Sequence, residues 1–310
     1  MSDERKPTPL FIALGDVHLS EQAPIIRSAE PDWYEAMGRQ LRWLEGLSDY
    51  YECPIVIAGD VFDRSTGSSR LINFALEFVP FGYSIAGNHD LPYHSLDKIG
   101  VSSYGAMMRA NRLTHINNIM TFSGGDEWTD VALHGFSFGV PLRPCKKAGD
   151  IDVAVVHHFV WAGANKPVGI EDGYHIDDVL EQLPGYDYYI FGDNHTPFIY
   201  SSPGKRNNVV NCGAFYRRKK GNETYQPYVY LVYLDHIESV KVPVGEDKFI
   251  ERADEKRRIL GRQYDFTAFF ESLKQAEALT CDTRELLQSY LRSHKVDEDV
   301  LRAIDAITES

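Results

Sequence analysis

Five short strings in the first two-thirds of the chain carry side chains that bind metal ions. They are Asp16-x-His18, Gly59-Asp60, Gly87-Asn88-His89-Asp90, His157-His158 and Gly192-Asp193-Asn194-His195. Mixed carboxylate, imidazole and amide donors are what two neighbouring dications require. Oxygen ligands suit Mg2+ or Mn2+, and imidazole admits Mn2+, Fe2+ or Zn2+. Two such ions a few ångströms apart can activate water and clamp both ends of an in-line displacement at phosphorus. Singly, each string has an ordinary reading: a D-x-H pair is common, and GNHD would serve as a turn. Together, in order, and each closing an apolar run, they point to one shared metal site.

The elements that must position these side chains are short apolar strands. PLFIALGDVH, CPIVIAGDVFD, GYSIAGNHD, DVAVVHHF and YDYYIFGDNH each read as a buried strand with Asp, His or Asn at its end. The glycine before each ligand lets the backbone turn sharply there and leaves room for substrate. Between the strands lie helical patterns. Pro31 suits a first helical turn, followed on one face by Trp33, Met37, Leu41, Leu44 and Leu47. Leu71, Phe74, Ala75 and Phe78 repeat the pattern before Pro80, and Asp177–Leu183 forms a short helix closed by Pro184-Gly185. This alternation indicates an α/β architecture. TDVALHGFSFG, NNVVNCGAF, YVYLVYLD and IESVKVPV follow with little helix between them, which predicts a more antiparallel second half. Two sheets face to face, with helices outside, accommodate both halves. From about residue 250 the pattern is helical only.

Composition narrows the class. Forty-five acidic against 32 basic side chains give a net charge of −13, which disfavours a protein held to nucleic acid mainly by a basic surface. Bound dications would invert that field locally, so DNA stays open as a substrate. The four cysteines, Cys53, Cys145, Cys212 and Cys281, fit no zinc or redox spacing and suit free thiols in the cytoplasm. No apolar run reaches membrane-spanning length, and the opening MSDERKPTP has no apolar stretch behind it.

The motifs and their order resemble the calcineurin-like metallophosphoesterase superfamily, whose signature runs D-x-H, G-D, G-N-H-D/E, H and G-H-x-H. Within it, GDVFDRSTGSSRLINFALEF, LEQLPGYDYYIFGDNHTPF and NVVNCGAFYRRKKG are similar to elements of the SbcD-type nucleases of DNA double-strand-break repair. The resemblance implies a four-layer α-β-β-α sandwich of two mixed sheets over residues 1–245, and a small helical appendage over 246–310. It implies two divalent ions, Mn2+ first and Mg2+ as the alternative. Asp16, His18 and His195 would hold one ion, Asn88 and His157 the other, and Asp60 would bridge. His158 replaces His157 if the strand register shifts by one. Asp193 stands where the family has the first His of G-H-x-H, and as a retained ligand it would favour Mn2+. His89 would protonate the leaving oxygen or steady the transition-state charge, roles suited to imidazole. Asp90 would orient that ring or simply cap a turn.

The resemblance also implies DNA as substrate, a homodimer, an SbcC-like SMC-type ATPase as partner and no membrane. Arg217, Arg218, Lys219 and Lys220 would contact DNA phosphates, with Tyr216 stacking on an unpaired base; a solvated hairpin tip is the competing reading. The helical appendage would dock the ATPase or complete the chain's own core. Two other functions compete: a phosphomonoesterase or small-nucleotide phosphodiesterase on the same site, and a non-catalytic binding homologue weakened at Asp193.

Overall fold

A computed structural model describes residues 7–250 except 168, 169, 171, 203, 206 and 219–223. The elements run β1 (Phe11–Leu14), α1 (Trp33–Tyr51), β2 (Ile55–Ile57), α2 (Ser69–Phe78), β3 (Gly82–Ser84), α3 (Ser103–Arg109), β4 (Leu113–His115), β5 (Ile119–Gly124) and β6 (Thr129–Phe136). They continue with β7 (Ile151–His157), β8 (Val160–Trp161), β9 (Tyr174–His175), α4 (Ile176–Gln182), β10 (Tyr188–Gly192), β11 (Phe198–Tyr200), β12 (Val209–Asn211), β13 (Tyr228–Val232) and β14 (Ile237–Lys241). Residues 251–310, which carry the expected helical tail, lie outside the described residues.

Two six-stranded mixed sheets result. The first has the order β14-β13-β1-β2-β3-β4, and the second β11-β12-β10-β7-β6-β5. Period-two alternation sends each strand's side chains into two different cores. Phe11 and Ala13 of β1 meet Val153 and Val155 of β7 between the sheets. Ile12 and Leu14 face the helix layer of α1, α2 and α3, where Met37, Leu41, Phe74 and Met107 pack. Ala154 and Val156 face α4, against Ile176 and Val179. The layers are therefore helices, sheet, sheet, helix, as the sequence predicts.

The second half departs from its antiparallel expectation. In the second sheet β6, β7, β10 and β12 are all parallel, and only the edges β5 and β11 are antiparallel. A parallel crossover needs a dozen or more residues, usually including a helix. Residues 137–150 supply that length between β6 and β7 without one, so the crossover leaves no helical pattern. Strands β13 and β14 do not join this sheet at all; β13 pairs antiparallel with β1, Phe11 opposite Val232. Pro31 also falls outside its helix. Asp32 is the cap, its carboxylate accepting the N–H groups of Tyr34 and Glu35 at 2.8 and 3.2 Å, which places Pro31 one residue before it.

Residues through Ile250 form one compact unit. Arg27 fastens the end of that unit. Its guanidinium is 1% exposed, bonds Glu30 at 2.6 Å and Asp247 at 2.8 Å, and lies over the rings of Trp33 and Phe249. No helix among the described residues is long and apolar enough to cross a membrane.

Removing Arg27 would take from two buried carboxylates their close cation, leaving among the described residues only Arg39 at 3.9 Å for Glu30 and only Arg217 at 4.0 Å for Asp247. Arg27→Ala is expected to cost about 3–5 kcal/mol of unfolding free energy, read as a lower urea midpoint with an unchanged slope. Arg27→Lys should recover little of it, because one ammonium cannot serve both carboxylates with a planar fork.

Candidate metal centre

Strands β1, β2 and β3 of one sheet and β7 and β10 of the other end along the same edge of the sandwich, and the five motifs follow those ends. The turns there are tight. Gly59 has φ +89, and a Cβ on Gly87 would overlap the Asp60 carboxylate. Asp16, His18, Asp60 and Asp193 themselves adopt left-handed φ values of 50, 49, 52 and 81. Such conformations cost ~1–3 kcal/mol each and persist only where the surroundings over-determine them. Here Asp16 N–H donates to Gly59 C=O at 3.2 Å and His18 N–H to Asp60 C=O at 2.9 Å. The Asp90 carboxylate, fully buried, accepts the N–H groups of Val61, Phe62 and Gly87 at 3.0–3.2 Å. It braces the loops after β2 and β3 against each other.

The donor atoms converge. His18 Nε2 lies 3.0 Å from His195 Nε2. Asp60 Oδ2 is 3.5 Å from His18 Nε2 and 3.5 Å from His157 Nε2. Asn88 Oδ1 sits 3.1 Å from His157 Nε2, and Asp16 Oδ1 3.9 Å from His195 Nε2. Among the described residues four groups of donors could hold a cation; two of them share Asp16, namely Asp16–His18–His195 and Asp16–Asp60–His157, and a third, His18–Asp63–His89, adjoins them. The surrounding bonds aim them: His157 Nδ1–H donates to Ala58 C=O at 2.7 Å, turning Nε2 inward. Asp60 Oδ1 accepts the His89 N–H at 2.9 Å, which leaves Oδ2 for the centre. Two imidazole nitrogens at 3.0 Å can share one proton at most. Asp16 and Asp60, 0% and 1% exposed, bring two carboxylates into the same space. This donor set fits a pair of divalent cations, and it includes His157 rather than His158. The His158 ring turns away towards Tyr174.

The ionisation of the cation-free pocket follows. Burial, with the Asp60 charge adding to it, pushes the Asp16 carboxyl well above the usual range, although His157 opposes the shift. Burial also works against a charged His157, yet the Asp60 and Asp16 carboxylates lift it to about 10. His18 is held well below its ordinary value by burial. Protons thus occupy positions that a cation would take. Asp90 is raised to about 7 by burial and by Asp60, despite its three N–H donors.

Several residues have partners that residue types alone do not indicate. His89 Nδ1 meets the Asp63 carbonyl at 2.7 Å, so Asp63, not Asp90, orients that ring. Sequence reasoning misses Asp63; its signal is its place three residues after Asp60 in GDVFD. Its carboxylate pairs with Arg218 at 2.7 Å and stands 3.7 Å from His18 Nδ1. Asp193 donates its N–H to both oxygens of Asp16, at 3.0 and 3.2 Å, and its carboxylate belongs to none of these donor groups.

The described part of the basic run, Arg217 and Arg218, is turned inward. Tyr216 is 1% exposed and its hydroxyl donates to Met37 C=O, so it cannot stack on a base. Arg217 donates to Tyr225 C=O and faces Asp247. The segment is drawn in because Phe215 N–H bonds the Asp16 carbonyl behind the centre. Lys219 and Lys220 lie outside the described residues.

The sequence model of one family, described as calcineurin-like phosphoesterase, matches residues 9–197. A protein described as the DNA double-strand break repair protein Mre11 of Archaeoglobus fulgidus is 28% identical over 177 residues, 49% of this chain. This chain spans 38% of that relative's length. Among solved structures, the calcineurin-like phosphoesterase YfkN of Bacillus subtilis matches with a TM-score of 0.44 and 11% identity, over 85% of this chain and 99% of that one. The 5'-nucleotidase of Candida albicans matches with a TM-score of 0.45 and 11% identity, over 77% of this chain and 52% of that one.

A metal-ligating imidazole must be neutral, whereas His157 in the cation-free pocket keeps its proton up to about 10. Divalent-metal uptake near neutral pH is therefore expected to expel at least one proton. Affinity should rise with pH by roughly tenfold per unit for each proton expelled. Calorimetry in buffers of different ionisation enthalpy measures the number; a value of zero would remove His157 from the ligand set.

Proposed function

This chain belongs to the calcineurin-like phosphoesterase family, and on that premise we propose that it is a two-metal phosphodiesterase acting on DNA. The observation that carries the reading is Asp60 Oδ2, equidistant from His18 and His157, between two donor groups that also share Asp16. When bound, the two ions, Mn2+ before Mg2+, would activate water and draw charge from the phosphoryl oxygens. Asp16, His18 and His195 would hold one and Asn88 and His157 the other, with Asp60 between them and Asp193 available as a further carboxylate. His89, with Nδ1–H donated to the Asp63 carbonyl, keeps Nε2 to deliver a proton to the leaving oxygen. Arg218 neutralises Asp63 beside it.

DNA as the substrate is supported by the SbcD-like strings and by the partial archaeal relative, itself described as a DNA double-strand break repair protein. On the same reading the chain works as a homodimer with an SMC-type ATPase, its tail serving as the docking element. The free thiols Cys53, Cys145 and Cys212 suit a reducing cytoplasm. A second reading, a phosphomonoesterase or small-nucleotide phosphodiesterase, is favoured by one observation: Tyr216 and Arg217 are committed inside the protein and leave a smaller basic rim for a polymer.

Cleavage of linear duplex, single strands, bis-p-nitrophenyl phosphate and p-nitrophenyl phosphate, with Mn2+ and with EDTA, separates the readings. DNA cleavage that EDTA stops supports the first; hydrolysis of monoesters alone supports the second. Asp60→Ala should abolish cleavage with the fold intact by circular dichroism, and activity within a few-fold of wild type would remove Asp60 from the bridge. His89→Ala should lower turnover by about two to four orders of magnitude with metal stoichiometry unchanged. A lost metal would make His89 a ligand instead. Asp193→His should raise activity with softer ions relative to Mn2+; an unchanged metal ranking would place Asp193 outside the coordination sphere.

A further inference from the structure

Tyr93 is the most exposed of the large hydrophobic side chains among the described residues, at 93%, and its backbone is left-handed, with φ 56 and ψ 26. His94 follows with φ 54. A bulky residue in this region is an outlier, and asparagine or glycine would hold the same turn without the steric penalty. Burial does not explain the choice either, since the ring faces water. The neighbours hold it out firmly. Leu91 and Pro92 are buried, Leu91 N–H bonds Asn88 C=O, and His94 N–H bonds Leu91 C=O at 3.1 Å. A strained backbone carrying an unburied aromatic is a pattern of functional positions.

Location decides what the function is. Tyr93 lies four residues beyond His89 in the segment that leaves the metal-site loop, so the two α-carbons are at most about 14 Å apart even if fully extended. Trp128 makes the useful contrast. It too is left-handed, with φ 53, and is 77% exposed. It sits on the turn between β5 and β6, where Asp126 accepts the Thr8 N–H just before β1 begins. The metal donors follow the other end of β1, so nothing links Trp128 to the centre.

We infer that Tyr93 is a stacking platform for an unpaired nucleobase adjacent to the scissile phosphate; the inference rests on the DNA phosphodiesterase reading. Every base offers a π-face, so stacking of this kind is tolerant of sequence. A base paired inside a duplex has no free face to offer a lone ring, so the enzyme would prefer single strands or frayed ends at the point of cleavage. The aromatic contact expected of Tyr216 thus moves to a residue only four positions after His89 in the sequence.

The test is a cycle of protein and substrate changes, run with Mn2+ on single-stranded oligonucleotides carrying one abasic residue at successive positions around the cut. Tyr93→Ala should raise KM by about 5- to 150-fold, while Tyr93→Phe and Tyr93→Trp stay near wild type. At one abasic position wild type should lose the same factor, and Tyr93→Ala should lose nothing more. Tyr93→Asn should show the same loss in KM with a melting temperature equal to or above wild type. The inference is overturned if Tyr93→Ala stays within about twofold of wild type on an oligonucleotide that wild type cleaves. It is overturned equally if the two losses add at every position, or if Tyr93→Asn melts several degrees lower. If wild type cleaves phosphate esters but no oligonucleotide, the DNA reading itself fails, and the inference with it.

Discussion

Two carboxylates, Asp16 and Asp60, are buried where the two sheets end, and among the described residues their ion-pair partners are imidazoles rather than lysine or arginine. Burying such charge is costly unless a cation meets it. Without metal, protons offset the charge, since His157 stays charged through its carboxylate neighbours and Asp16 is pushed towards its neutral form. The same atoms form donor groups that could hold a cation instead. The rest of the centre can be understood as machinery for keeping these two anions close, dry and correctly aimed.

The architecture supplies that machinery at three levels. Parallel strands bring the motif-bearing ends together on one edge, as open α/β sheets do for ligand sites. Alternation along β1 and β7 then divides side chains between the inter-sheet core and the helix layers, which locks both sheets from both sides. Finally, the left-handed residues Asp16, His18 and Asp60 are held by inter-loop hydrogen bonds, with Asp90 taking three N–H groups from two loops. Local strain is sustained there because the surroundings leave no alternative.

Basic side chains are used differently from what a nucleic-acid surface requires. Arg27 and Arg217 converge on Asp247 and tie the end of the described unit to its body. Arg218 is committed to Asp63, which in turn positions His89. A chain with net charge −13 that commits Arg27, Arg217 and Arg218 to internal ion pairs would attract a polyanion in large part through bound dications. Exposed aromatic surface near the metals would then matter more than a basic groove.

The donor-bearing strings, their order and their position after apolar strands were legible from residue types alone. So were the apolar faces of α1 and α2, because donor chemistry and periodicity are local properties. The α-β-β-α layering was likewise carried by the resemblance. What stayed hidden depends on partners distant in sequence. An apolar run such as VAVVH or YYIFG looks the same in a parallel or an antiparallel sheet, and β13 reaches β1 only through the completed fold. Whether His157 or His158 faces inward was set by the register of β7 against β10, with Gly192 opposite His157. Arg217 and Tyr216 look like a hairpin tip in the sequence, yet packing behind Asp16 draws them inside. Asp63 gained its role only when the loops after β2 and β3 were brought together. Residue chemistry determined what this site could bind, and long-range packing decided which side chains reach it, because a side chain's partner is a property of the assembled fold.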